Sequence, residues 1–111
     1  MAENKLKGHL GLCRRAGKMS LGHDAALTQI KKRKAFLAVC CKDSSKRLIA
    51  EIRDECNFDG RNIKFITADI TSDEIYFYIG VKSKVFTVDD KGFADMLISD
   101  LTGGIEYGYC N

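Results

Sequence analysis

Apolar positions recur along this chain with two alternating periods. Leu6, Leu10, Cys13 and Ala16 follow one another at three- and four-residue steps, the spacing that lines up one stripe of a helix. A first helix is predicted from about Asn4 to Ala16, with Gly17 placed to close it in a left-handed conformation. Met19 to Leu21 has room only for a short strand, of the kind found at a sheet edge. A second helix starts near His23 or Asp24 and buries Ala26, Leu27 and Ile30. Phe36 to Cys41 is almost unbroken apolar sequence, the pattern of a central strand covered on both faces. Lys42-Asp43-Ser44-Ser45 supplies a turn and caps for a third helix, whose inner face carries Leu48, Ile49, Ile52 and Cys56.

Asp59-Gly60-Arg61-Asn62 turns the chain into a third strand, Ile63 to Thr67. Thr71-Ser72-Asp73-Glu74 has the spacing of a capping box. It opens a short helix with Ile75, Tyr78 and Ile79 inward, ended by Gly80. Val81-Lys82-Ser83-Lys84 is a polar loop before the strand Val85 to Val88. Asp89-Asp90 then caps a last helix carrying Phe93, Met96, Leu97 and Leu101. Strands alternating with helices predict an α/β/α sandwich around a parallel or mixed sheet. With 111 residues, 45% of them apolar, the chain has enough for one core. A single domain is expected over residues 1–101. Residues 102–111 leave the periodic pattern and read as a tail, docked only if Ile105, Tyr107 and Tyr109 find an apolar groove.

Charge sharpens this picture. Twelve of the eighteen basic residues fall in the first fifty positions, against three acidic ones, so that half carries +9 and the remainder −6. A net charge of only +3 conceals this asymmetry, which is the electrostatic footprint of a protein that meets nucleic acid phosphates. Lys31-Lys32-Arg33-Lys34 steps about 100° per residue around the helix, so the four cannot all face one ligand. They read equally as phosphate contacts or as a solvated helix end that complements the dipole.

Other chemistries find less support. No apolar run approaches the roughly 18 residues of a membrane span, and no secretory signal opens the chain, so a cytoplasmic location is expected. Cys13, Cys40, Cys41, Cys56 and Cys110 contain no Cys-x-x-Cys pair, and only His9 and His23 are available to assist them; neither a structural zinc site nor a nucleophilic thiol is expected. Asp69, Asp89 and Asp90 are better read as caps and turns than as magnesium ligands. The isolated glycines form neither a dinucleotide fingerprint nor a phosphate-binding loop of the Walker type. No cofactor and no enzymatic reaction are expected.

Leu10-Gly11-Leu12-Cys13-Arg14-Arg15-Ala16-Gly17-Lys18, then Gly22, then Lys34-Ala35 leading into an apolar strand and Lys42-Asp43-Ser44-Ser45 form a recognisable order. So do Ile79-Gly80, the loop to Lys84, and Val88-Asp89-Asp90-Lys91-Gly92-Phe93-Ala94. Together, over roughly residues 6–98, they resemble the kink-turn-binding ribosomal-protein family of L-seven-Ae type, and most of all its short bacterial branch. The resemblance implies a three-layer α/β/α sandwich with a mixed four-stranded sheet, and binding of structured RNA, ribosomal RNA above all, by a protein that is a monomer when free. In that family the start of the second helix enters the widened groove of a bent RNA helix, and the loop before the last strand holds an extruded nucleotide. Carried over, the first surface is Lys18, Ser20, Gly22, His23, Asp24 and Thr28, and the second is the loop with Val81, Lys82, Ser83 and Lys84; Lys31 and Lys32 extend the basic face. Where kink-turn readers carry Asn-Glu and a Lys three positions on, this chain has Asp24, Ala25 and Thr28. That exchange removes the Glu and the Lys that read guanine edges and leaves at Asp24 a side chain that only accepts. It leaves open a second reading, a protein-interaction module of the same fold that has lost specific kink-turn recognition.

Overall fold

The computed structural model describes residues 2–102. Ile105, Tyr107, Tyr109 and Cys110 therefore lie outside the described residues. Elements follow in the order α1 (Ala2–Arg15), β1 (Met19–Leu21), α2 (His23–Lys31), β2 (Leu37–Cys41), α3 (Lys46–Asn57), a 3₁₀ turn (Phe58–Gly60), β3 (Lys64–Ala68), α4 (Ser72–Ile79), β4 (Val85–Val88) and α5 (Lys91–Leu101). The sheet is mixed and ordered β1-β4-β2-β3, with β4 antiparallel to both β1 and β2 and with β2 parallel to β3. This is the three-layer sandwich that the alternation predicts, and β1 does lie at an edge.

Strand periodicity sorts the core into two halves. Leu37, Val39 and Cys41 of β2 share one face with Phe86 and Val88 of β4, under Leu6, Leu10 and Cys13 of α1, Ile75 of α4 and Leu97 of α5. On the opposite face Ala38, Cys40 and Val85 meet Ala26 and Ile30 of α2 and Ile52 and Cys56 of α3. Large side chains thus fill the space under three helices, and small ones let two helices approach closely. Every residue of β2 and β4 is buried, as expected of strands covered on both sides.

Local signals act as the sequence predicts at most joints. Ser45 Oγ accepts from Leu48 N, and Thr71 with Glu74 forms a complete capping box. Gly80 closes α4 with φ of 79°. Three details differ. Phe36 stands outside β2: its N–H joins the sheet at Val88 O, but its side chain is 48% exposed. β3 lies one residue later than its apolar pattern predicts, over Lys64–Ala68, because its register is set by pairing with β2. Asp90 alone caps α5, while the Asp89 carboxylate accepts the hydroxyls of Ser20 at 2.8 Å and Thr87 at 3.0 Å.

Because Leu37 is fully buried between β4 and the α1 layer, Leu37→Ala should destabilise the protein by about 2–5 kcal/mol, through forfeited transfer energy and an incompletely collapsed cavity. Urea unfolding followed by circular dichroism checks this, and a change below about 0.5 kcal/mol would contradict the layer order.

Candidate nucleic-acid interface

Sheet topology brings three helix starts to one end of the molecule. β1, β2 and β3 all finish at the end where β4 begins, and they lead into α2, α3 and α4 respectively. Each helix start presents N–H groups that lack partners within the helix. α3 and α4 have side-chain caps, and Asp43 adds a second tie by accepting from Ser72 N at 3.0 Å and Ser72 Oγ at 2.6 Å. Those bonds hold the Asp43 carboxyl below its usual range.

α2 differs. Its N-cap is Gly22, with φ of 99° and no side-chain cap. A Cβ built there would meet nothing within 4 Å, so the glycine is required by its backbone angle and leaves open space in front of the helix. Gly22 N is fixed by donating to Val85 O at 3.0 Å. That bond joins the start of α2 to the end of the Val81–Lys84 loop. The same loop is tied to the β2–α3 turn, where Ser44 Oγ and Cys41 N both donate to Lys84 O.

The candidate residues therefore divide. Gly22, His23, Asp24, Val81, Lys82, Ser83 and Lys84 gather around this end, while Thr28 lies about 9 Å along α2 from Gly22. Lys18 does not: it precedes β1, and its carbonyl accepts from Asp89 N at the opposite end of the sheet. Lys31 and Lys32 close α2 at that far end, where Phe36 N meets Val88 O. The nine residues of α2, rising about 1.5 Å each, retrace the length that β1 advanced. Positive charge that looks continuous in sequence is thus split, with Lys18 and Lys31 to Lys34 roughly 13 Å from Gly22. Ser20 lies between, on β1, its hydroxyl held by Asp89.

Individual side chains are also already engaged. His23 Nε2 bonds Glu51 Oε1 of α3 at 2.9 Å and its Nδ1 stands 3.4 Å from Asp24 Oδ1; the Glu51 hydrogen bond is the main reason its pKa rises above the usual imidazole value. Thr28 Oγ1 donates back to Asp24 O within the helix. Ser83 is buried, with its hydroxyl on Val85 O at 2.6 Å, so it shapes the loop from within. Lys82 pairs with Asp73 at 3.0 Å, which holds its ammonium firmly protonated. Both partners are well exposed, and such a pair exchanges readily for a phosphate. Glu51, Asp73 and Asp89 are long-range partners that no local spacing reveals; only the tertiary contacts bring them to their histidine, lysine and serine.

Cys13, Cys40, Cys41 and Cys56 are buried free thiols, each pushed up to about 12 by desolvation. A thiol so protonated is a poor nucleophile. Among the described residues no group of three or more His, Cys, Asp or Glu side chains is placed to hold a metal ion. What the sheet end offers is uncapped N–H donors, exposed ammonium groups and open space, which together suit an anionic backbone.

No protein-family model matches the chain. In sequence it is 31% identical over 91 residues to the RNA-binding protein YlxQ of Bacillus subtilis (strain 168), a span of 81% of this chain and 88% of that protein. In fold it is similar to a protein of unknown function from Bacillus halodurans C, with a TM-score of 0.77 and 20% identity over 88% of this chain and 96% of that one. It is also similar to the 15.5kD RNA binding protein of Giardia lamblia, with a TM-score of 0.66 and 13% identity over 92% and 86% of the two chains. Identity at this level to the Bacillus subtilis protein, over most of both chains, marks the L-seven-Ae-type family. The chain belongs to that family, in its bacterial YlxQ-like branch.

The Glu51 contact makes His23 a reporter of this end. Its pKa is raised on folding, so the stability it contributes is fully present below the unfolded value of about 6.5 and disappears as pH rises through the folded value. Imidazole NMR titration should place His23 above 6.5, and Glu51→Gln should bring it down toward 6.5. A titration unaffected by Glu51→Gln would remove the α2–α3 contact.

Proposed function

We propose that this protein binds structured RNA without catalysing a reaction, and that it recognises a kink-turn-like bend or internal loop at the sheet end where α2 and the Val81–Lys84 loop meet. The observation that carries this reading is the start of α2. Of the three helix N-termini gathered there, it alone has no side-chain cap, and a positive-φ glycine leaves its front open. Phosphate oxygens satisfy such N–H groups and are favoured by the dipole. Lys82 and Lys84 flank the approach, and the half-buried Val81 beside them supplies apolar surface for an extruded base. The Bacillus subtilis relative, an RNA-binding protein by name, points the same way.

Lys18, Lys31 and Lys32 then act at a distance, along the flanking duplex, as sequence-independent phosphate contacts. Ribosomal RNA is the natural source of such a bent helix, in the cytoplasm, with a monomer as the binding unit. The protein-interaction reading rests on one specific observation: Asp24, Ala25 and Thr28 stand where the Asn, Glu and Lys that read guanine edges are needed. The exposed Asp24 carboxylate accepts from guanine amino and imino groups but repels phosphate.

Two measurements separate these readings. Binding to a kink-turn hairpin should weaken steeply with salt, and replacing both Lys82 and Lys84 by Ala should reduce the slope of log K against log salt by about one unit for each phosphate no longer neutralised. A slope that is flat in the wild type would favour the protein partner. Restoring the reading set through Asp24→Asn, Ala25→Glu and Thr28→Lys should tighten binding to the same hairpin by about 1–3 kcal/mol. Gly22→Val should weaken it, because a branched residue strains the φ of 99° and obstructs the phosphate; a circular-dichroism melt of the variant distinguishes a binding defect from a folding defect. If the restored variant gains nothing and Gly22→Val is neutral, α2 does not face the RNA.

A further inference from the structure

α1 and α4 form a surface for which the RNA-binding end has no use. The Arg14 guanidinium donates to Ile79 O at 3.0 Å, joining the two helices where α4 finishes. Arg14, Arg15, Gly11, Tyr78 and Ile79 line a solvent-open cleft of about 200 Å³. Next to Tyr78, Phe77 is 76% exposed, and Tyr76 before it is 58% exposed. The Lys7 ammonium stands 5.7 Å from the Phe77 ring centroid, and the Phe77 and Tyr78 rings are 6.3 Å apart at 59°. Among the described residues no acidic side chain forms an ion pair with Lys7, Arg14 or Arg15.

An aromatic ring left this open forgoes much of its burial, and the charges it meets across the helix pair are the cations of α1, while Asp73, one turn before it on α4, is paired with Lys82. Aromatic rings interleaved with Lys and Arg are what unpaired nucleotides stack and track along. The surface is also close along the chain to the candidate interface. Phe77 is followed within five residues by Lys82, so at most about 18 Å of chain separates them.

We propose that the α1–α4 face takes a single-stranded stretch of the same RNA whose bent part lies against Gly22, with a base stacked on Phe77 and the phosphates met by Lys7, Arg14 and Arg15. This rests on the RNA-binding reading above. Its partner is therefore unpaired RNA flanking the structured element, read by stacking and charge with little sequence preference.

Fluorescence anisotropy with a kink-turn hairpin, with and without a short oligouridine extension at either end, tests it. On one of the two ends, the extension should tighten wild-type binding about tenfold, the scale of one stacked base. Phe77→Ala should abolish that gain while leaving the bare hairpin unaffected, Phe77→Tyr should keep it, and the Lys7→Ala, Arg15→Ala pair should reduce it. Lys82→Ala with Lys84→Ala should weaken both RNAs alike. An extension that adds nothing at either end, or a gain that survives Phe77→Ala, overturns the proposal while leaving hairpin recognition standing. A wild type that binds neither RNA overturns both readings. Concentration-dependent dimerisation that Phe77→Ala removes, with RNA affinities unchanged, would make the face a contact between copies and overturn it as well.

Discussion

The antiparallel pairing of β2 with β4, two strands buried along their whole length, is the constraint on which the rest of the structure depends. A strand with apolar side chains on both faces must be covered twice, so the chain has to return helices to both sides of the sheet. The two faces are unequal. Phe86, Leu37 and Val88 fill a wide space under α1, α4 and α5, whereas Ala38 and Cys40 admit α2 and α3 at close range. β1 completes the outer edge next to β4, and β3 extends the sheet beyond β2.

The candidate site follows from direction as much as from burial. β1, β2 and β3 all end on the same side, so the positive ends of three helix dipoles are gathered there. At α3 and α4, side chains consume the free N–H groups; at α2 a glycine leaves them available. Ser83, buried and bonded to Val85 O, and the paired contacts on Lys84 O hold the neighbouring loop in shape. The surface is pre-organised in its backbone, while its charged side chains remain in weak, exposed pairs that a phosphate displaces at little cost.

The electrostatics differ from those of a uniformly basic face. Asp24, Asp43 and Asp73 share the sheet end with Lys82 and Lys84, and the dense run from Lys31 to Lys34 lies at the other end of α2. A bent RNA helix in contact with this protein would meet a mixed polar surface near Gly22 and a denser group of cations further along, where Arg33 pairs with Asp59. Such a division suits recognition of shape at one end and affinity from phosphate contacts at the other.

Much of the fold was legible in the sequence because its signals are local: the stripe Leu6, Leu10, Cys13, the capping box at Thr71 and Glu74, the two-sided strand read as Phe36 to Cys41, which forms from Leu37 onward. Each depends on residues within one or two turns of one another, and propensity, capping and periodicity act at that range. The order of strands in the sheet was not among those signals, since pairing β4 between β1 and β2 joins residues far apart in the chain. That pairing decided the site. Lys18 and Gly22 are four positions apart yet flank opposite ends of the sheet, because an extended strand of three residues separates them. Gly22 and Lys84 are distant in sequence yet adjacent, because Gly22 N meets Val85 O. Ser20 found Asp89 and His23 found Glu51 for the same reason. The sequence determined which segments become helix and strand and which faces they bury; tertiary structure alone decided which charges share a surface, because that depends on strand direction and long-range pairing, about which no local pattern carries information.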